Sequence, residues 1–178
     1  SIAGQIMTAG IDSRLGKYVR AQKGLAYAVH GVFDPNRQVG SFTASVDTAV
    51  ESTADAIEAM FKVFNDMREA EVTPLELSEA KTRVAGRMVM AVQTIGAQAG
   101  YRVEGVLNDY PIDYYDKYPQ RIAQVTPEQI REVMNKYVKD DAMTIIVVAP
   151  AKLVRAQLES LGKVEVVPMP AKRNIAAH

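Results

Sequence analysis

A chain of 178 residues, 48% hydrophobic and 24% charged, is long enough to bury one full core and too short for two comfortable ones. Its 21 Lys plus Arg balance 21 Asp plus Glu, so no electrostatic pull toward nucleic acid or an anionic membrane is expected. Cysteine is absent, which excludes disulfides and thiolate sites, and no apolar run approaches the roughly 18–20 residues that span a bilayer.

The chain opens SIAGQIMTAG, without a basic n-region or an apolar h-region, and so reads as lacking a signal peptide. Beginning at Ser1 rather than Met, it reads as a processed or excised piece of something longer. The compartment stays open, cytoplasmic and periplasmic both fitting. Ile2–Thr8 is expected to be helical, and Ser13–Gln22 a short helix after Gly10. Leu25–Phe33 alternates as a strand and ends at the turn Asp34-Pro35-Asn36-Arg37. Gly40–Asp47 is a second β-rich run, antiparallel to the first.

From Val50 to Ala70 the period changes. Ile57, Met60, Phe61, Phe64 and Met67 fall three or four apart, the apolar face of an amphipathic helix. Thr73-Pro74-Leu75-Glu76 starts a third helix, with Thr as N-cap, Pro in the first turn and Glu returning to the cap. It is expected to reach about Val92, and another helix runs from about Ala97 to Asn108. Tyr110, Tyr114, Tyr115 and Tyr118 then cluster between two prolines, in the pattern of a packed connector.

Thr126-Pro127-Glu128-Gln129 repeats the capping signature and opens a helix through Ile130, Val133, Met134, Tyr137 and Val138. Met143–Ala149 is a continuous apolar run suited to a covered strand. A helix near Lys152–Ser160 and a short strand at Val164–Val167 close the domain. The methionines at 60, 67, 88 and 90 read as core filling.

This order predicts an α+β fold, with helices layered on one face of a mostly antiparallel sheet. Residues 1–167 read as a single domain and 168–178 as a loosely ordered tail. Only four strands lie under a large helical layer, so part of the sheet is expected N-terminal to these residues.

Catalytic constellations are then tested by exclusion. His30 and His178 are the only histidines, and HxxEH, HxxxH and their reversed forms are absent. A self-contained zinc site needs about three protein ligands, mostly His with a carboxylate, and is not expected here. His30 sits between Val29 and Gly31 and reads as a surface or hairpin-end histidine ahead of a general base. Gly96, Gly100 and Gly105 follow no strand and form no phosphate loop, and Ser13, Ser41 and Ser45 lack a GxSxG setting.

What remains is Ser13 to Val29, SRLGKYVRAQKGLAYAV, with Arg20 on a helix, a break at Lys23-Gly24, and Tyr27 on the next strand. Two strong donors seven residues apart can face one groove. Taken alone, they fit side chains that merely cover apolar surface.

The pattern SRLxxxxRxxKGLAYxV resembles the second-type domain of the M16 (pitrilysin-like) zinc peptidases. Downstream, Gly40-Ser41-Phe42 with Val46-Asp47-Thr48, Val72-Thr73-Pro74 with Glu76-Leu77 and Ala80-Lys81, and Val125 to Ile130 are similar to later parts of that domain. So are Lys136-Tyr137-Val138 and Ile145 to Val148, and the likeness spans roughly residues 5–150. The stretch GQIMTAGID before Ser13 departs from the glycine-richer family pattern. The GLAY segment also occurs in zinc-bearing halves, so the motif leaves open which half this is.

The resemblance implies a helix-on-sheet domain in a clamshell of two halves, one of which binds zinc through HxxEH and a distal Glu. It implies that Arg20 and Tyr27 hold an extended peptide substrate near the metal, with zinc bound outside this chain. The implied partners are the peptide and a zinc-bearing M16 domain or subunit, and a dimer is compatible. The alternatives are a proteolytically inactive scaffold subunit and an independent small hydrolase, which the missing motif disfavours.

Overall fold

In the computed structural model, which describes residues 1–34 and 40–168, Ile2–Thr8 forms helix α1. Ser1 caps it, its hydroxyl accepting the Gly4 amide at 3.1 Å. The short helix expected over Ser13–Gln22 is wound in the π register over Gly16–Gln22. Leu15 and Val19 are fully buried beneath this segment and anchor it.

Strands β1 (Ala28–Asp34) and β2 (Ser41–Asp47) form an antiparallel pair, as expected, with Val29 opposite Val46 and Phe33 opposite Phe42. The Phe33 and Phe42 rings stack at 4.6 Å, and Phe42 meets Phe64 edge-on at 5.6 Å, which fixes the hairpin against the helical layer. Most of the expected 34–37 turn lies outside the described residues, as do residues 169–178 of the tail.

A single 3₁₀ turn at Val50–Ser52 leads into α2 (Thr53–Glu69). Its predicted face is buried at Ile57, Met60, Phe64 and Met67, with Phe61 half-buried. Helix α3 (Pro74–Ala91) begins with a full capping box: the Glu76 amide donates to the Thr73 hydroxyl, and the Glu76 carboxylate accepts the Thr73 amide. Helices α4 (Ile95–Leu107) and α5 (Tyr118–Ala123) follow, and α6 (Pro127–Tyr137) repeats the box with Thr126 and Gln129. A 3₁₀ turn at Asp140–Ala142 and helix α7 (Ala151–Leu158) complete the helices.

The main core gathers α1, the π-helix, α2, α3 and α6 around Met7, Leu15, Met67 and Met134, all fully buried. A smaller cluster joins Ile57 of α2 to Val154 and Leu158 of α7. Helices on an antiparallel pair give the expected α+β class, but two expected strands are absent as such. Met143–Ala149 and Val164–Val167 have no ladder partner among the described residues. A strand exists only through its neighbour's hydrogen bonds, which an apolar run cannot supply alone. Of the methionines expected in the core, Met60 and Met67 are buried, whereas Met90 is 69% exposed, beyond the part of α3 that meets the core.

Candidate functional site

The segment carrying Arg20 and Tyr27 is fixed at the backbone and free at the side chains. Ser13, almost wholly buried, donates its hydroxyl to the Gly10 carbonyl at 2.7 Å and accepts the Gly16 amide at 3.0 Å. Gly16 passes so near the Gly10 carbonyl oxygen that a Cβ there would lie 2.4 Å from it, so only glycine fits. The helix ends with the Lys23 amide on the Tyr18 carbonyl at 3.0 Å and the Leu25 amide on the Val19 carbonyl at 2.9 Å. Gly24 makes the turn at φ +64°, the left-handed region that favours glycine.

Beyond the turn, the Thr48 hydroxyl donates to the Leu25 carbonyl at 2.6 Å, and the Tyr27 amide donates to the Asp47 carbonyl at 2.8 Å. Tyr27 therefore extends the β1–β2 ladder by one residue, just before the first residue of β1. Tyr27 is 82% exposed, and Arg20 is exposed on the π-helix. The structure does not join the two side chains: among the described residues neither forms a hydrogen bond, ion pair or ring contact.

A second bond set ties this segment to α3. Arg14 donates from Nε to Glu76 Oε1 at 2.8 Å and from a terminal nitrogen to Oε2 at 3.0 Å, a bidentate pair only partly open to solvent. Hydrogen bonding from Arg14, helped by the Thr73 amide and hydroxyl, holds the Glu76 carboxyl down at about 2. Sequence reading missed this pair, because 62 residues separate its members.

The Lys23 and Lys62 ammonium groups each lie 5.6 Å from the Tyr18 ring centroid, and Lys62 is held by Asp66 at 2.8 Å. An exposed guanidinium and an exposed phenol are donors suited to peptide carbonyls and carboxylates.

The described residues do not fit a zinc ion. No group of three His, Cys, Asp or Glu able to hold a metal occurs among the described residues, and His30 lies exposed on β1. The tyrosine cluster is a packed connector, as expected: Tyr110 stacks on Tyr114 at 4.3 Å, Tyr101 meets Tyr115 at 5.0 Å, and Arg121 covers Tyr114 at 4.5 Å. No helix among the described residues is long and apolar enough to cross a membrane.

Fold and site together define a helix-on-sheet domain that presents side-chain donors and, among the described residues, no cluster of metal ligands. Residues 1–84 match the family described as "Peptidase M16 inactive domain". The chain is 27% identical over 129 residues to a Rickettsia bellii protein named "Uncharacterized zinc protease", covering 72% of this chain and 28% of that one. A Rickettsia felis protein of the same name is 27% identical over 143 residues, covering 76% and 30%.

The crystal structure of a peptidase M16 inactive domain from Pseudomonas fluorescens superposes with a TM-score of 0.71 at 26% identity, covering 78% of this chain and 33% of that one. The chain thus spans about a third or less of each of these three relatives. The resemblance to the M16 peptidases holds, and it is to the inactive, C-terminal-type domain of zinc-protease-like proteins.

Proposed function

We propose that this chain is the non-metal domain of an M16-type zinc endopeptidase. It helps enclose the peptide chamber and anchors substrate through Arg20 and Tyr27, and another domain or subunit supplies zinc and the general base. The carrying observation is the contrast at residues 13–27, where a backbone fixed at Gly16, Gly24, Leu25 and Tyr27 presents an exposed guanidinium and phenol with no partner among the described residues. A backbone already fixed leaves only the two side chains to be ordered when a ligand binds.

The guanidinium offers planar donors to peptide carbonyls, and the phenol offers one donor to an oxygen on which charge develops. The substrate is an extended peptide, held in part by strand addition at a sheet edge. The names of the relatives, zinc proteases in both Rickettsia species, support zinc in the complete enzyme.

In the complete enzyme, Arg20→Ala and Tyr27→Phe are each expected to lower kcat/KM for a peptide by about 100- to 1,000-fold, the range for loss of one positioned donor. The melting temperature should stay within about 2 °C, since surface changes away from packing are worth within about 0.5 kcal/mol. Unchanged cleavage by both variants removes the assignment.

A second reading, a proteolytically inactive scaffold subunit, draws on the exposed apolar residues of α3 and α4, Val89, Met90, Ile95, Val103 and Val106 among them. It predicts association without peptide cleavage under any pairing of subunits.

A further inference from the structure

The end of the π-helix carries one residue more than an α-helix would use. An α-helix that closes through a left-handed residue pairs the following amide with the carbonyl five back, and the left-handed residue's own amide with the carbonyl three back. Here Leu25, just after the left-handed Gly24, donates to Val19 six back at 2.9 Å, and Gly24 donates to Arg20 four back at 3.1 Å. The Lys23 amide reaches Tyr18 at 3.0 Å, five back where an α-helix has four. Ala21 and Gln22 lie inside all three spans, so the surplus residue falls just after Arg20.

The core does not ask for it. Leu15 and Val19, the buried anchors, are four apart and suit an α-helix equally. Leu25 packs on the core beyond the turn, whereas residues 20–24 are all exposed, so the extra length swells outward into solvent and carries Arg20 with it. Tyr27 stands on the same side. Strand alternation puts it on the face of Val29 and Phe33, which pack against the core, and the π-helix packs on β1. Single π turns are rare and gather at functional sites.

We infer that the surplus residue of this turn is a positioning element for substrate, setting the Arg20 guanidinium outward on Tyr27's side of the hairpin. The role rests on the substrate-anchoring reading of Arg20 and adds what places it. What counts is the number of residues between Val19 and Leu25, not the side chain of Ala21. Removing one shortens the contour of the turn by about 3.8 Å, returns all three bonds to α-helical spans and draws Arg20 inward. Misplacing a substrate-positioning group by only about 1 Å costs about 100-fold in rate.

Deletion of Ala21 in the complete enzyme tests this, with deletion of Gln22 as its duplicate. Each should lower kcat/KM for a peptide by about 100-fold, while helical circular dichroism is retained and the melting temperature holds or rises. In the deletion background Arg20→Ala should cost less than about threefold further, whereas Tyr27→Phe should keep its full effect. An Arg20→Ala loss as large in the deletion background as in the unmodified enzyme would overturn the inference, leaving Arg20 an anchor that the turn does not position. So would a folded deletion variant that cleaves at the unmodified rate. Loss of cooperative melting in both deletions also overturns it, because the surplus residue would then serve the fold. Should Arg20→Ala be silent in the unmodified enzyme, it is the anchoring reading that fails, and the positioning role goes with it.

Discussion

Glu76 does two jobs with one carboxylate, accepting from Thr73 at the start of α3 and from Arg14 beside the π-helix. Its folded pKa of about 2 lies below the ordinary 4.5, so the native state favours the charged form. The stabilisation is therefore complete above about pH 4.5 and is lost as pH falls toward 2. Because the pair is partly solvated, the loss is put at roughly 1–2 kcal/mol after screening is allowed for. Glu76→Gln keeps an acceptor for the capping box but removes the charge facing Arg14. Urea unfolding at pH 7, 4 and 3 should show the wild-type advantage over this variant shrinking as the acid titrates. An advantage that stays constant across that range would mean that the Arg14 pair contributes nothing through charge.

At the scale of elements, the turn between the π-helix and β1 carries the argument for Arg20 and Tyr27, and Gly24 is its least replaceable residue. Alanine at φ +64° costs about 1 kcal/mol, and for a chain of this size that lowers the melting temperature by about 2–4 °C. Thermal unfolding of Gly24→Ala checks it, and a rise in stability would show that the turn does not need the left-handed conformation. Most helices were legible because their signals are local. Thr73 and Thr126 cap within three residues, and the α2 stripe from Ile57 to Met67 declares its period within one helix.

What stayed hidden depends on distant partners. Gln157 accepts from the Ala54 amide at 3.1 Å and donates to the Val50 carbonyl at 2.8 Å, finishing the start of α2 from 103 residues away. The π register is equally silent, since Leu15 and Val19 show the same spacing as on an α-helix. In the candidate site, the residue types of Arg20 and Tyr27 were legible, but the Arg14–Glu76 brace behind them was not. The apolar run at 143–149 declared burial without declaring a neighbour, so it read as a strand that the described chain does not pair.

Across the whole molecule, α2 is the element on which separate layers meet. Its Met67 and Phe64 belong to the main core and its Ile57 to the α7 cluster, and Phe61 packs against both. Phe61 also meets the Phe64 ring edge-on at 6.0 Å, so it couples the small cluster to the aromatic chain that runs into the β-hairpin. Coupling of this kind decides whether α7 unfolds with the domain or ahead of it. Among the described residues the α7 cluster has three buried members, Ile57, Val154 and Leu158; Val50, Val147, Ala149, Leu161 and Val164 pack on it beside Phe61, and Gln157 ties α7 to the start of α2. Truncating Phe61, which is half-buried, should therefore lower the opening free energy of α7 by on the order of 2 kcal/mol. The α6 amides around Met134, which rest on the main core, should lose less than about 1 kcal/mol by comparison. Native-state hydrogen exchange of Phe61→Ala separates the two regions residue by residue. Equal loss in α6 and α7 would mean that the domain opens as one unit and that Phe61 is an ordinary core residue rather than the joint between two clusters.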